Sequence, residues 1–329
     1  MRYSQSEKME IIRIVESSGL GIKQTLRELQ VSRSTFYEWY RRYQDVGYEG
    51  LAPRPRQRRR FWNAIPPWEK KRVVQTALDH PEKSPRELAW QITDTRSYFI
   101  SESSVYRILK ANDLLPSPAY TVLTAREQFP QPTTGVHQLW QTDFTWLKVV
   151  HWGWYYLCTV MDDYSRYILA WELCRAMGCV DVQRVLDQAI ATAGVDHVTV
   201  LHRPRLLTDN GSCFIAREFG EYLAGHGIKH VRTKPFHPMT QGKIERYHRS
   251  MKNIIRLENY YSPEELETQL AAFVEHYNHQ RYHEALDNVT PADVYTGRGQ
   301  EIRERRERIK RRTLRLRRRQ NRHMATTLN

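Results

Sequence analysis

The sequence predicts a multidomain chain, with two short all-α modules at the N-terminus followed by a mixed α/β sheet domain. Three observations carry this. Residues 1 to about 115 place apolar side chains at helical spacing between capping signals. Residues 139 to 174 hold three aromatic and β-branched segments separated by polar breaks, and beyond them helical segments alternate with short strands. The 329 residues, 40% hydrophobic, suffice for two or three domains with their own cores.

In the first module, residues 1–52, Ser4 and Glu7 form a capping box, and Ile11, Ile12, Ile14 and Val15 give an apolar side to a helix over Gln5–Ser18. After Gly19 and Gly21, IKQTLREL is a second helix, QVS a tight turn, and Ser32 caps a third. Phe36, Trp39, Tyr40 and Tyr43 face inward there, which leaves Arg33, Ser34, Thr35, Tyr37, Glu38, Arg41 and Arg42 outside. A short turn before a polar helix rich in Arg, Ser and Thr is a helix-turn-helix arrangement, whose second helix enters the DNA major groove. The alternative is a plain three-helix packing module.

A Pro- and Arg-rich linker, 53–66, carries Arg54, Arg56, Arg58, Arg59 and Arg60, which suit DNA phosphates. A second helix-turn-helix-like module, 67–115, has one helix from Pro67, another capped by Ser84 with Pro85 at its first position, and a third after Ser101 bearing Arg107 and Lys110. A second linker, 116–135, precedes the α/β domain at 136–296, and a basic tail, 297–329, follows it.

Charge is concentrated. The chain holds 51 Lys and Arg against 37 Asp and Glu, a net +14. Residues 54–60 contribute five Arg and residues 298–322 a net +10, so the remainder is close to neutral. Patches of this kind suit a polyanion bound at defined places. The tail reads either as a solvated basic segment or as a non-specific DNA clamp ordered on binding. Four cysteines without CxxC spacing argue against zinc and against a disulfide framework. No apolar run is long enough to span a bilayer and the N-terminus lacks a signal peptide's apolar core, so a cytoplasmic, nucleoid-associated location is expected.

Three acids stand in unusual settings. Asp143 interrupts LWQTDFTWL, a strand suited to burial, where an unpaired charge is costly. Asp209 ends the strand in LLTDNG; its alternative is a turn Asp before Asn-Gly. Glu245 lies in KPFHPMTQGKIERYHRSMK, where it heads a helical stripe continued by Arg249, Lys252 and Arg256, with Ile244, Tyr247, Met251 and Ile254 on the other side. Pairing with Arg249 at i,i+4, worth a few tenths of a kcal/mol, is the alternative for Glu245. Asp162 and Asp163 read as turn residues. Two acids at strand positions and one on a later helix can converge on a pair of divalent cations, and hard cations on a phosphodiester require oxygen ligands.

The blocks WQTDFTW, TDNGSCF, KPFHPMTQGKIERYH and YNHQRYHEALDNVTPADVY, with thirty-five residues between Asp209 and Glu245, resemble the retroviral-integrase-like core of bacterial insertion-sequence DDE transposases. The resemblance covers about residues 130–296. It implies a ribonuclease-H-like fold and a catalytic, metal-binding triad of Asp143, Asp209 and Glu245 holding two Mg²⁺ or Mn²⁺ ions. It further implies nicking at inverted-repeat ends and transfer of the freed 3′-OH to target DNA by an assembly of at least two copies. Gln241 and Lys243 are expected at the DNA end, with Arg246, Arg249 and Lys252 beside them. Two other functions remain open at this level: a DNA-binding regulator with a silent core, and a ribonuclease-H-like nuclease.

Overall fold

In a computed structural model the structure describes residues 3–52, 62–115, 133–194, 203–233 and 242–326. The arginines expected at DNA between 54 and 60, and Gln241, lie outside the described residues. The chain divides into two compact units, Met1–Phe61 and Trp62–Asn329.

The first unit has α1 (Gln5–Ser17), α2 (Ile22–Glu28) and α3 (Arg33–Val46), closed by a 3-10 turn over Gly47–Leu51. Ser4 accepts from the Glu7 amide while the Glu7 carboxylate accepts from the Ser4 amide, the reciprocal cap that starts α1. Ile12, Leu26, Phe36, Trp39 and Leu51 form the core, with Tyr40 and Tyr43 packed at its margin. Gly50 admits no side chain, since a Cβ there would stand 2.2 Å from the Arg42 carbonyl oxygen.

The second unit opens with α4 (Pro67–Asp79), α5 (Pro85–Arg96) and α6 (Glu102–Lys110), packed around Val73, Leu88, Ile92, Ile100, Val105 and Leu109. The sheet domain follows with β1 (Leu139–Val149), β2 (Gly153–Asp162), β3 (Ile168–Cys174), α7 (Cys179–Ala193), β4 (Arg205–Thr208), α8 (Ser212–Ile215), α9 (Arg217–Gly225), β5 (Lys229–Arg232), α10 (Gly242–Ile255), α11 (Pro263–His279) and α12 (Pro291–Tyr295). The strand order is β3-β2-β1-β4-β5. β1, β2 and β3 are antiparallel, whereas β4 runs parallel to β1 and to β5. This mixed sheet with helices on both faces is the ribonuclease-H-like arrangement.

Strand alternation divides β1 between two cores. Trp140 and Phe144 face α7 and α9, while Leu147 and Val149 face α10 and α11. Gln141 and Asp143, at the same parity as Leu147, therefore point toward α10. On α10, Ile244, Tyr247, Met251 and Ile255 fill the core, and Ile254, expected to share that side, is 52% exposed. At about 100° per residue Ile254 falls just outside the buried arc, about 20° beyond Tyr247 at its edge, whereas Ile255 lies near the middle.

The tail differs from a segment awaiting DNA. Residues Gly299–Thr326 form one helix, α13, lying along the second helical module. Arg306 is 5% exposed. Its guanidinium donates to both Asp94 carboxylate oxygens at 2.8 and 2.6 Å and to the Asn288 carbonyl at 2.8 Å, and it lies 4.6 Å from the Trp90 ring centroid. Tyr282 also donates to Asp94 at 3.1 Å. Further along, Arg317 donates to the Tyr98 hydroxyl and the Phe99 carbonyl, and Thr313 accepts from the Phe99 amide. Composition suggested an unpacked basic run because eleven-residue spacing of buried arginines is invisible without their acceptors.

Candidate active site

Asp143 and Asp209 are brought together by sheet register. β1 and β4 pair through Leu139↔Arg205, Trp140↔Leu206 and Gln141↔Leu207. Two residues further on each chain come Asp143 and Asp209, so the two acids stand opposite one another where the parallel pair ends, the end at which α/β sheets place their sites. Asp209 is aimed by its turn: its Oδ1 accepts from the Gly211 amide at 2.8 Å, and a Cβ at Gly211 would stand 3.0 Å from that same oxygen. The Asn210 amide group donates to the Thr233 carbonyl, tying the turn to the end of β5.

Glu245 enters from α10. Its carboxyl is raised from the ordinary carboxylate value, first by burial and next by the negative charge of Asp143, against the pull of Arg249 and His248. The two acids thus sense each other directly, and Arg249 is the weaker neighbour. Asp143 accepts from the Phe144 amide at 2.8 Å through Oδ1, and its Oδ2 lies 3.5 Å from His248 Nδ1. His248 is buried one turn beyond Glu245, with Nε2 3.4 Å from the Thr159 hydroxyl. Sequence reasoning missed this histidine, although its i+3 spacing from Glu245 was the available signal.

Lys243, expected at the DNA end, is ion-paired within the protein. Its ammonium, 10% exposed, donates to the carboxylate of Asp163 at 2.8 Å and to the Asp163 carbonyl at 2.9 Å. Asp163 also accepts from the Gln141 side-chain amide at 2.7 Å and the Thr133 hydroxyl at 2.6 Å. Gln141 in turn accepts from the Ile244 amide at 3.2 Å. The network pins the first turn of α10 to β1 and β2, and so fixes where Glu245 meets Asp143. Lys243 faces this anchor; the turn residue Asp163 is its counter-ion. Asp162 is fully buried and accepts from the Ser165 and His137 amides, closing the turn after β2.

Among the described residues, no group of three His, Cys, Asp or Glu side chains is gathered as a metal-holding set. The donor chemistry still fits a hard cation. Asp143 and Glu245 are oxygen donors whose mutual repulsion a cation relieves, and Asp209 stands in register beside them.

Around the acids, Arg246 and Arg249 are exposed and Lys252 is half-buried. On α3, Arg33, Ser34, Tyr37 and Arg41 are exposed; Thr35 is bound to Ser32, and Arg42 donates to the Ala52 carbonyl at 2.9 Å. On α6, Lys110 is exposed, and Arg107, also exposed, donates to the Ser103 carbonyl.

Two helix-turn-helix modules ahead of a ribonuclease-H-like sheet define a DNA-handling protein. Residues 133–238 match the integrase core domain family and residues 226–291 a second family of the same description. Residues 7–60 match a helix-turn-helix domain and residues 35–109 a homeodomain-like domain. Residues 133–291 are thus similar to integrase core domains and residues 7–109 to helix-turn-helix domains, and insertion-sequence proteins are among the chain's relatives. It is 26% identical over 190 residues to the protein of insertion sequence element IS986/IS6110 of Mycobacterium tuberculosis, named as its transposase, covering 54% of this chain and 64% of that one. It is 27% identical over 155 residues to a protein of insertion element IS476 of Xanthomonas euvesicatoria, covering 46% and 42%. It is 36% identical over 125 residues to the Gag-Pol polyprotein of Rous sarcoma virus, covering 37% of this chain and only 7% of the polyprotein. The chain thus spans a small part of the retroviral proteins it matches. Among solved structures, the integrase catalytic core domain of HTLV-2 in complex with magnesium aligns with a TM-score of 0.40 at 21% identity, over 49% of this chain and 97% of that one.

Proposed function

We propose that the chain is the transposase of a bacterial insertion sequence, binding the element's inverted-repeat ends through its helical modules and cutting and joining strands at Asp143, Asp209 and Glu245. The observation that supports this most is the β1–β4 register that sets Asp143 beside Asp209, with α10, which carries Glu245, packed on β1. These carboxylates would hold Mg²⁺ or Mn²⁺, two ions in this reading, which when bound activate the attacking oxygen and stabilise the leaving one.

The chain's own residues prepare the site. The Phe144 amide and His248 hold Asp143 in place, the Gly211 amide orients Asp209, and the Lys243–Asp163–Gln141 network sets the angle of α10. Arg246, Arg249 and Lys252 offset the negative field that three acids would present to a phosphate backbone. The reaction expected is hydrolytic nicking at each end, followed by attack of the freed 3′-OH on target DNA, by an assembly of at least two copies.

The test uses a labelled inverted-repeat oligonucleotide with Mg²⁺ or Mn²⁺, followed for nicked and joined products. Glu245→Gln is expected to abolish both products while end binding persists. Retained cutting in that variant refutes the triad, and end binding by the native chain with no metal-dependent product identifies a DNA-binding regulator instead.

A further inference from the structure

Beyond the last β1–β4 pair, β1 continues to Val149 with only β2 beside it among the described strands. Near its far end stand two tryptophans that a sheet domain has no folding reason to leave in water. Trp146 is 49% exposed and Trp154 51% exposed, their ring centroids 5.1 Å apart and the rings nearly perpendicular. Cations from two elements converge on them. Lys252 Nζ lies 4.3 Å and the Arg256 guanidinium 5.0 Å from the Trp146 ring, and Lys148 Nζ lies 5.9 Å from the Trp154 ring. The rings form one wall of a groove of about 700 Å³ between the β1–β2 hairpin and the C-terminal end of α10, which His151 and Tyr260 also line.

We infer that this tryptophan–cation surface binds unpaired DNA bases, taking the end of a strand whose backbone crosses the candidate carboxylates. Its chemistry selects the ligand. Paired duplex presents phosphates but keeps its base faces stacked, and would leave the two rings unused. An apolar protein partner would use the rings but bury three cations with Glu258 alone among the groove's lining residues to pair them, at high cost. An unpaired strand offers both parts, π-faces for tryptophan and phosphates for Lys148, Lys252 and Arg256. The location agrees. Trp146 is three residues along β1 from Asp143, about 10 Å and on the other face of the strand, and Lys252, seven residues and about 10 Å along α10 from Glu245, reaches it past the stretch of β1 that β4 no longer pairs. Lys252, on the α10 stripe that Glu245 heads, lies over the Trp146 ring and so spans the interval between the acids and the rings.

The inference rests on the reading that DNA runs over these acids, and a binding experiment separates the two. Full-length protein is titrated in EDTA against a fluorescein-labelled inverted-repeat duplex, either fully paired or with three terminal nucleotides of one strand unpaired, and anisotropy is recorded. The unpaired end is expected to bind about 5- to 150-fold more tightly, the range for stacking one base on an aromatic ring. Trp146→Ala with Trp154→Ala removes the preference and leaves affinity for the paired duplex nearly unchanged; Trp146→Tyr with Trp154→Tyr retains most of it. With the native protein, abasic sites in place of the three unpaired bases also remove it. No preference in the native protein, or a preference that survives the alanine pair or the abasic end, overturns the inference. So does a DNA-free dimer that the alanine pair dissociates in sedimentation, since the surface is then a self-interface. Absence of metal-dependent cutting alongside an intact preference counts against the transposase reading alone.

Discussion

Replacing Lys243 with Met tests whether this residue anchors the site or touches DNA. In the structure the ammonium and the Asp163 carboxylate are 10% and 4% exposed, so solvent screens them little. Lys243→Met leaves Asp163 buried with the Gln141 and Thr133 donors but no counter-charge. Removing one partner of a buried pair costs about 3–5 kcal/mol, much of a domain's net stability. Restoring neutrality with Lys243→Met and Asp163→Asn together should recover a large share of that loss, because the uncharged amide oxygen still accepts from Gln141 and Thr133 and leaves no buried charge unpaired. Urea unfolding of the four proteins of this double-mutant cycle, wild type, both single variants and the double variant, gives the coupling directly. A loss below about 1 kcal/mol, the size of an exposed pair, together with a large drop in affinity for the DNA end, would place Lys243 on the DNA and refute the anchor.

Other outcomes follow from particular contacts. Glu245→Gln is expected to raise the melting temperature in EDTA at neutral pH: the folded-state carboxyl is raised by burial and by Asp143, so its charge is unfavourable there, and the gain vanishes below pH 4.5, where the group is protonated in both states. His283, held neutral by burial and by Arg281, Arg166 and Arg86, is pushed down to about 3. Its depressed value makes stability complete above pH 6.5 and lost progressively toward pH 3, by at most about 1.4 kcal/mol per pH unit, and His283→Phe should remove that component from a pH series of urea midpoints. Asp94→Ala, which strands the buried Arg306, should cost about 3–5 kcal/mol on the same assay. Arg308→Gln, Arg312→Gln and Arg315→Gln, all on the exposed side of α13, are expected to leave stability unchanged and, if α13 touches DNA, to flatten the salt dependence of binding by about one unit of slope each; an unchanged slope removes α13 from the DNA.

Much of the fold was legible because its signals are local. Ser4 with Glu7 and Ser84 with Pro85 each start a helix where the capping pattern predicts, since a cap acts within one turn. β1 was legible from its aromatic and β-branched run, and the unusual position of Asp143 within it pointed to the site. What could not be read depends on pairs far apart in the chain. Lys243 and Asp163 are separated by 80 positions, Asp94 and Arg306 by 212, and neither partner signals the other. A basic residue beside an expected DNA site looks the same in sequence whether it faces a phosphate or a buried carboxylate.

The face of α13 that meets the helical module imposes a constraint of length as well as composition. Arg306, Ile309, Thr313 and Arg317 are all buried, at offsets of three, seven and eleven along one helix. One residue inserted between Arg306 and Arg317 would turn the second latch by about 100° and slide it about 1.5 Å, so that Asp94 and Tyr98 could no longer be engaged together. Substitutions on the outward side carry no such penalty. Over evolutionary time this segment is therefore expected to drift freely among basic and polar residues while resisting insertions and deletions, a pattern opposite to that of an unstructured tail.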